Sequence, residues 1–563
     1  MRRALLIYPE FPTCSYWNFR LVHGRIFPRN EFGYPKGVMP PLGLLCIAGP
    51  ISERYGRENV RLVDMNVRPL TDEELRWADD VYLSAMLTQS ESFDEVAARA
   101  KALGKTTIGG GPCVHEGTAN LDYAFIDECE LTLEPFLREL FDGQPARVQR
   151  GSRPAGKDFF QPDYSWIDCN HYTSMALQFT RGCPHDCEFC DITSRYGRSI
   201  RVKEVRVFLQ ELQRLYEYGW RGSVFIIDDN FIGKPKAALE LASALIEWQR
   251  EHRYPFEFFT QATVLLAEDR NQDLLEALYP AGFSMVFLGI ETPNVESLKE
   301  TNKHFNLGSG MSLAEKIKKI QQVGRVHVLG GFIVGFDSDT SDVFDRQAQF
   351  ILEELQLPTA MVGILEPLPE TKLERRLSRE GRMVSRARGT VAGRCDVAFK
   401  PKHLTREELR AGYIGLIKQL YLDTGALYER FFRSIKHVGP PLFQGIYTRD
   451  IVLGVLKLLV VEGVRSRFRW AFWKLLFRML VRYPSKIPYA MRWAGYGLHY
   501  RMLTERLLEL EQADPLLLPT SSCGETLLTL REGSEHHRTA AQHGGTGRLR
   551  TSTVPVRGAS HGR

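Results

Sequence analysis

The sequence predicts an α/β protein of two successive parallel sheets followed by a helical region. Short apolar runs alternate with helical periodicity over residues 1–145 and again over residues 173–385, the pattern of βα units whose strands pair in parallel. Between them, over residues 146–172, Gly151, Pro154, Gly156 and Pro162 break any period, which marks a linker long enough to let the two domains pack face to face. The first domain reads as a doubly wound parallel sheet and the second, with six βα units, as part of a barrel. A helical region over 386–515 and a disordered tail over 516–563, rich in glycine, serine, threonine, histidine and arginine, complete the chain.

With 563 residues, 44% of them apolar, the chain can bury several cores. Its 73 basic and 68 acidic residues leave a net charge of +5, too balanced to imply a nucleic-acid partner. Ten cysteines, with a single tight cluster, exclude a disulfide scaffold and point to a reducing compartment, the cytoplasm. The apolar run after Arg3 is cut by Pro9, Glu10 and Pro12 and is too short for a signal peptide, and the run over 451–461 is broken by Lys457 before it reaches a membrane span.

In the first domain, strands are expected at 4–8, 60–63, 81–83 and 106–108, with helices at 41–53 and 93–103. Ligands of such sheets bind at the carboxyl ends of the strands. The loops there are Pro9-Glu10-Phe11-Pro12, Asp64-Met65-Asn66, Ser84-Ala85-Met86 and Gly109-Gly110-Gly111-Pro112. A tight turn accounts for one glycine, whereas three let another molecule approach the backbone closely. No phosphate loop or dinucleotide fingerprint is present, which disfavours nucleotide binding. Cys46 lies in the apolar helical run 43–48 and reads as a core thiol, and Cys14 and Cys113 read as structural or incidental.

In the second domain an apolar strand over 175–179 leads into Cys183-x3-Cys187-x2-Cys190. Three thiolates can hold three irons of a four-iron cluster and leave the fourth open to a substrate. A zinc knuckle takes four ligands, and no second cysteine pair follows at finger spacing. Further strands are expected at 223–227, 256–260, 285–288, 326–334 and 361–365, alternating with helices at 202–218, 237–251, 274–279, 313–323 and 343–355. Polar residues gather at the strand ends: Asp228-Asp229-Asn230, Thr260-Gln261, Gly289-Ile290-Glu291-Thr292, Gly335-Phe336-Asp337 and Glu366-Pro367. The plain structural alternatives are a capping partner of the next helix for Glu291 and a turn residue for Asp337.

Beyond the barrel, residues 404–421 have helical spacing. From Val464 onward Phe468, Phe472, Leu475, Leu476, Met479 and Leu480 recur at helical spacing, Arg467, Lys474, Arg478 and Arg482 mark another face, and Trp470 and Trp473 lie among them. Such a basic amphipathic helix lies on a membrane surface or packs on the barrel with a solvated outer face, and both readings stay open.

The cysteine motif with six βα units behind it resembles the TIM-type barrel of the radical S-adenosylmethionine (radical SAM) family over about residues 173–380. Pro40-Pro41-Leu42-Gly43, Leu62-Val63-Asp64-Met65-Asn66, Ser84-Ala85-Met86 and the triple glycine resemble the Rossmann-like cobalamin-binding domain that precedes many such barrels. The helical extension, Tyr8-Pro9-Glu10-Phe11-Pro12 and Gly289-Ile290-Glu291-Thr292-Pro293 resemble the subgroup that includes the hopanoid methylases.

The resemblance implies that Cys183, Cys187 and Cys190 ligate a 4Fe-4S cluster whose open iron takes the amino and carboxylate groups of S-adenosylmethionine, with reductive cleavage giving a deoxyadenosyl radical. Phe189 would pack near the adenine, one of Asp228, Asp229 and Asn230 would bind the methionine amino group, Glu291 would reach the ribose, and the Gly331 to Gly335 strand would flank the adenine. Asn66, Ser84, Gly109, Gly110 and Gly111 would line the cobalamin. Where ligating relatives have Asp-x-His-x-x-Gly, this chain reads Asp64-Met65-Asn66-Val67-Arg68-Pro69, which implies base-off cobalamin with no protein histidine on the metal. The implied activity is methylation of an unactivated carbon in a lipid or isoprenoid substrate. A flavodoxin- or ferredoxin-type protein would supply electrons, and the basic C-terminal helices would contact a membrane peripherally. The rivals are a radical cyclase or carbon–carbon coupling enzyme without methyl transfer, and a cobalamin- or redox-sensing protein.

Overall fold

Alternate residues of the first strands go to opposite cores. Leu5, Ile7, Val81 and Leu83 pack with Phe93 and Val96 on one side of the sheet, and Ala4, Leu6 and Tyr82 pack with Leu44, Ile51 and Phe136 on the other. This two-sided burial requires a parallel sheet with helices on both faces. The strands are β1 (Ala4–Tyr8), β2 (Val60–Asp64), β3 (Asp80–Ser84), β4 (Thr106–Gly110), β5 (Tyr123–Ile126) and β6 (Val148–Arg150), all parallel in the order β2-β1-β3-β4-β5-β6. The order reverses between β1 and β3, and the crevice outside their carboxyl ends is the binding position of this topology. The structure is a computed structural model that describes residues 2–13, 15–16, 18–308, 310–385, 397–444 and 448–513. Cys14 and the tail expected over 516–563 lie outside them.

Strands β5 and β6 were not expected. Both are short, and β6, with Val148 its one apolar residue, falls in the segment 146–172 read as a linker. The rest of that segment is packed chain: Phe159 and Tyr164 are buried, Asp163 N donates to Leu45 O at 3.1 Å, and a Cβ on Gly156 would lie 1.8 Å from Val202 O.

The second sheet is built from β7 (Ser174–Leu177), β10 (Gly222–Ile226), β11 (Phe256–Ala262), β12 (Phe283–Glu291), β13 (His327–Val334) and β14 (Thr359–Ile364), all parallel in the order β14-β13-β12-β11-β10-β7. These are the six expected strands. A small antiparallel ribbon, β8 (Thr180–Arg181) with β9 (Arg201–Val202), brackets the cysteine loop. The helix expected over 343–355 is α-helical over Val343–Gln349 and changes to a π-helical turn over Phe350–Leu355, ended by Gln356 at φ 53°. Beyond the barrel the described residues are mostly helical. Helix Arg406–Tyr421 closes onto β14, where Tyr413 donates to Val362 O and Tyr421 to Ala360 O.

The carboxyl edge of the first sheet meets the cysteine loop through an ion network. Arg181, two residues before Cys183, donates to Glu128 at 2.7 Å and Glu130 at 2.5 Å, both on the loop after β5, and Arg201 donates to Glu128 at 2.9 Å. Both carboxylates are almost fully buried. Breaking a buried pair from one side leaves uncompensated charge, so Arg181→Met is expected to destabilise the chain by about 3–5 kcal/mol. A thermal unfolding midpoint equal to that of the unaltered chain would contradict this.

Candidate active site

The cysteine loop is shaped by its backbone. Cys183 N donates to Gly197 O and Cys190 N to Cys187 O, each at 3.2 Å, and Glu188 N donates to Thr301 O at 3.0 Å. Gly182 turns the chain into the loop at φ +95°, where an added Cβ would lie 2.9 Å from Gly197 O. Cys183, Cys187 and Cys190 are free and half-buried. Burial pushes the Cys187 thiol up to about 11 and raises those of Cys183 and Cys190. Among the described residues no three His, Cys, Asp or Glu side chains converge on a single-ion position. Three thiols on one loop fit a cluster, which spreads its ligands over separate irons.

The three residues after β10 do different things. Asp228 is fully buried and fully used: Oδ1 accepts from Phe179 N at 2.8 Å and Thr180 N at 2.9 Å, and Oδ2 from Thr180 Oγ1 at 2.8 Å. It braces the exit of β7, and burial raises its carboxyl to about 6 against those bonds. Asp229 is half-buried and accepts one bond, from Gly182 N at 3.0 Å. Burial pushes it up to about 7, opposed by that amide and assisted by Asp228. Asn230 directs Nδ2 at Cys183 Sγ, 3.9 Å away, and its buried Oδ1 has no partner. Unpaired capacity therefore lies on Asp229 and Asn230, beside the first cysteine. A buried polar atom with no protein partner is open to a bond from water or a ligand.

Glu291 ends β12 in a left-handed conformation, φ 67°, and is buried in an ion pair with Lys303. It does not cap the next helix. Helix Val295–Glu300 is capped by Asn294, whose side chain accepts from Glu296 N. Burial alone would lower the Lys303 pKa, but Glu291 and Cys187, with a smaller effect from Cys190, raise it overall. The ammonium lies 5.7 Å from the Phe189 ring centre, so a buried cation faces the cysteine loop. Nothing in the sequence singled out Lys303, because it is placed by a turn of chain and not by a motif.

Along β11, β12 and β13 the half-exposed positions alternate in an otherwise buried sheet: Phe259 and Gln261, Phe287 and Gly289, Gly331 and Ile333. Helices cover the outer face, so these residues open onto the barrel interior. A Cβ on Gly331 would lie 2.8 Å from the Phe287 ring, whereas Gly335 serves a turn at φ +101° against Leu409. Phe259 and Phe287 were missed in the sequence, where period-two alternation was the available signal.

The carboxyl-terminal segment clamps the cysteine loop. Arg376 donates to both Glu188 oxygens, at 2.6 and 3.0 Å, and to Asp337 at 2.6 Å, and Leu373 N donates to Glu188 O at 3.0 Å. Asp337 is more than a turn residue. Burial would raise its carboxyl, but Arg382, Arg376 and Lys402 hold it well below the usual carboxylate range. Arg376→Ala removes charge-assisted bonds worth about 1–3 kcal/mol locally. Its reconstituted cluster is expected to bleach faster in air than that of Lys372→Ala, whose parent side chain is half-exposed. Equal rates would contradict the clamp.

In the first domain the switch-point loops are tied together. Gln89 Nε2 donates to Pro9 O at 2.5 Å. Asn66 spends its amide locally, accepting from Phe11 N at 2.9 Å and donating to Pro9 O at 3.1 Å and Asp64 at 2.8 Å. Burial pushes the Asp64 carboxyl up to about 6, against bonds from Asn66 and Tyr172. The three glycines divide. Gly109 faces the core, where a Cβ would lie 2.4 Å from Leu121, while Gly111 turns at φ +91° beside Ser84 and Ala85. The open surface there is Ser84, Gly110, Gly111 and the exposed Met86. An adaptable apolar side chain beside open backbone fits a large planar cofactor. Cys113 lies in the core of the first sheet whereas Cys46 is half-buried, and desolvation pushes each thiol up to about 12.

The profile of the radical SAM superfamily matches residues 177–351, and a domain of unknown function, DUF4070, matches residues 371–513. The chain is 36% identical over 512 residues to an uncharacterized methyltransferase of Synechocystis sp., covering 89% of this chain and 92% of that one. It is 32% identical over 497 residues to the hopanoid C-2 methylase of Rhodopseudomonas palustris, covering 85% and 90%. Among solved structures it is similar to the radical S-adenosylmethionine methyltransferase TsrM of Kitasatospora setae, determined with cobalamin and a 4Fe-4S cluster bound. That likeness has a TM-score of 0.53 at 13% identity, spans 90% of this chain and 99% of that one, and bears on the fold. A cysteine loop, barrel and preceding Rossmann-like sheet in this order, with two relatives above 30% identity along nearly their whole lengths, show that the chain belongs to the cobalamin-binding-domain radical SAM family, in the branch that includes the hopanoid methylases.

Proposed function

We propose that the chain methylates an unactivated carbon of a polycyclic or isoprenoid lipid, using a 4Fe-4S cluster, S-adenosylmethionine and cobalamin. The observation that carries the lipid class is the 32% identity to a hopanoid C-2 methylase across 85% of the chain. The apolar barrel interior at Phe259, Phe287 and Ile333 suits such a substrate.

When bound, the cluster and the two cofactors supply the electron, the radical and the methyl group. Cys183, Cys187 and Cys190 hold the cluster. Asp229 pairs with the methionine ammonium, and the free Oδ1 of Asn230 accepts a second bond from it. Lys303, fixed by Glu291, offers a cation to the anionic cluster or the methionine carboxylate. Phe189 and the Gly331 strand flank the adenine. Ser84, Gly110 and Gly111 would let cobalamin approach the backbone, and the Asn66 amide, bonded to Phe11, Pro9 and Asp64, would hold the neighbouring loops together. Asp228 and Arg376 position the loops and touch no substrate. A flavodoxin- or ferredoxin-type protein delivers the electron, and the enzyme meets its substrate at the cytoplasmic face of a membrane.

Lipid extracts of a strain lacking the gene are expected to lose a methylated species that returns on complementation. Mass spectra unchanged by the deletion would overturn the lipid reading.

A further inference from the structure

The helix Arg469–Arg482 is apolar on two sides. Phe472, Leu475 and Met479 are buried against its neighbours, but Leu480, which groups with them by sequence spacing, is exposed with Trp470, Trp473, Phe477 and Val481. The preceding helix, Arg449–Val460 with its π-helical end Val461–Arg465, exposes a second stripe: Val452, Leu456, Val460 and Val464. These two stripes hold more than half of the exposed large apolar side chains among the described residues. They meet at the elbow between the helices, where Trp473 Nε1 donates to Gly463 O at 2.8 Å.

The inner sides of both helices are anchored. Gly454 abuts Phe27, and Lys36 pairs with Asp450 at 3.0 Å. Arg478 bridges to Glu429. The outward apolar surface is thus a fixed feature of the fold, and surfaces of this extent mark contact sites.

Charge selects the partner. Residues 449–486 carry nine Lys or Arg against Asp450 and Glu462, and Glu462 is buried in a pair with Arg501. Arg449, Lys457, Arg465, Arg469, Lys474 and Arg482 are exposed and form no ion pair among the described residues. In a twofold dimer through this face, cations would meet cations. Among the described residues no helix is long and apolar enough to cross a membrane. Tryptophan and aliphatic side chains amid unpaired cations fit helices lying in the headgroup layer of an anionic bilayer.

We propose that the helices over 449–482 form a docking face for an anionic lipid bilayer, which assigns a role to part of the DUF4070 region. The face stands on its own geometry and does not depend on methylation being the reaction. The full-length reconstituted protein is expected to co-sediment with phosphatidylcholine vesicles containing phosphatidylglycerol, to bind phosphatidylcholine alone far less, and to detach as salt is raised. The double variant Phe477→Glu, Leu480→Glu is expected to lower partition onto the mixed vesicles by about tenfold or more. Lys457→Glu with Lys474→Glu should abolish the preference for the anionic lipid. Unaltered circular dichroism and cluster absorbance would show that these surface variants fold. Vesicle binding that is absent, or equal in the unaltered chain and the variants, overturns the proposal. So does a dimer in solution that Phe477→Glu, Leu480→Glu dissociates, since the face would then belong to a second copy of the chain.

Discussion

Alanine at any one of Cys183, Cys187 or Cys190 is expected to reduce deoxyadenosine release from S-adenosylmethionine by at least about a thousandfold. Iron and sulfide content after anaerobic reconstitution should fall with it. The structure makes this loss chemical, because the loop does not need the thiols to keep its shape. Backbone bonds from Cys183 to Gly197, Glu188 to Thr301 and Leu373 to Glu188 remain in every such variant. The circular dichroism spectrum should therefore match that of the unaltered apoprotein. A cysteine variant that kept its cluster and its activity would remove that residue from the ligand set.

Adjacent carboxylates after β10 should respond to substitution in opposite ways. Asp228→Ala deprives Phe179 N, Thr180 N and Thr180 Oγ1 of their acceptor inside a buried site, at a cost of about 3–5 kcal/mol. Low solubility or an early unfolding transition is the expected result. Asp229→Asn disturbs a single bond from Gly182 N and should leave the unfolding transition near its original position. Its effect belongs to binding: loss of a carboxylate from an ammonium in a partly buried site should raise the S-adenosylmethionine dissociation constant about 10- to 100-fold. Equilibrium binding to the reconstituted proteins separates the two. If Asp228→Ala were stable and Asp229→Asn bound normally, Asp228 would not be the brace of the β7 exit and Asp229 would not be the partner of the ammonium.

The strands of the barrel were legible because parallel strands covered on both faces are written as continuous apolar runs, and all six appeared where those runs lie. Strands β5 and β6 were not legible: β5 is only four residues long, and an edge strand such as Val148–Arg150 needs little apolar surface. The cysteine loop was visible as spacing. What organises it was not: Arg376 reaches Glu188 across 188 residues, and no periodicity encodes a pair that distant. Distance along the chain also made Asp337 look like a turn residue, whereas Lys303, only 12 residues from Glu291, was hidden because a turn and not a motif places it. The sequence also named Asp228, Asp229 and Asn230 together, because it shows which side chains leave a strand end but not which backbone amides they will meet. On the helix Arg469–Arg482 it grouped Leu480 with the buried residues, since helical spacing cannot tell one apolar stripe from two on opposite sides.

In the proposed reaction a methyl group from S-adenosylmethionine reaches a lipid carbon. This transfer is tested most directly by incubating the reduced protein, reconstituted with cluster and cobalamin, with methyl-deuterated S-adenosylmethionine and the lipid extract of the deletion strain. A lipid product carrying the deuterated methyl group, formed together with deoxyadenosine, is the expected result. Deoxyadenosine release with a product that carries no label would contradict it and favour ring formation or carbon–carbon coupling by the same radical.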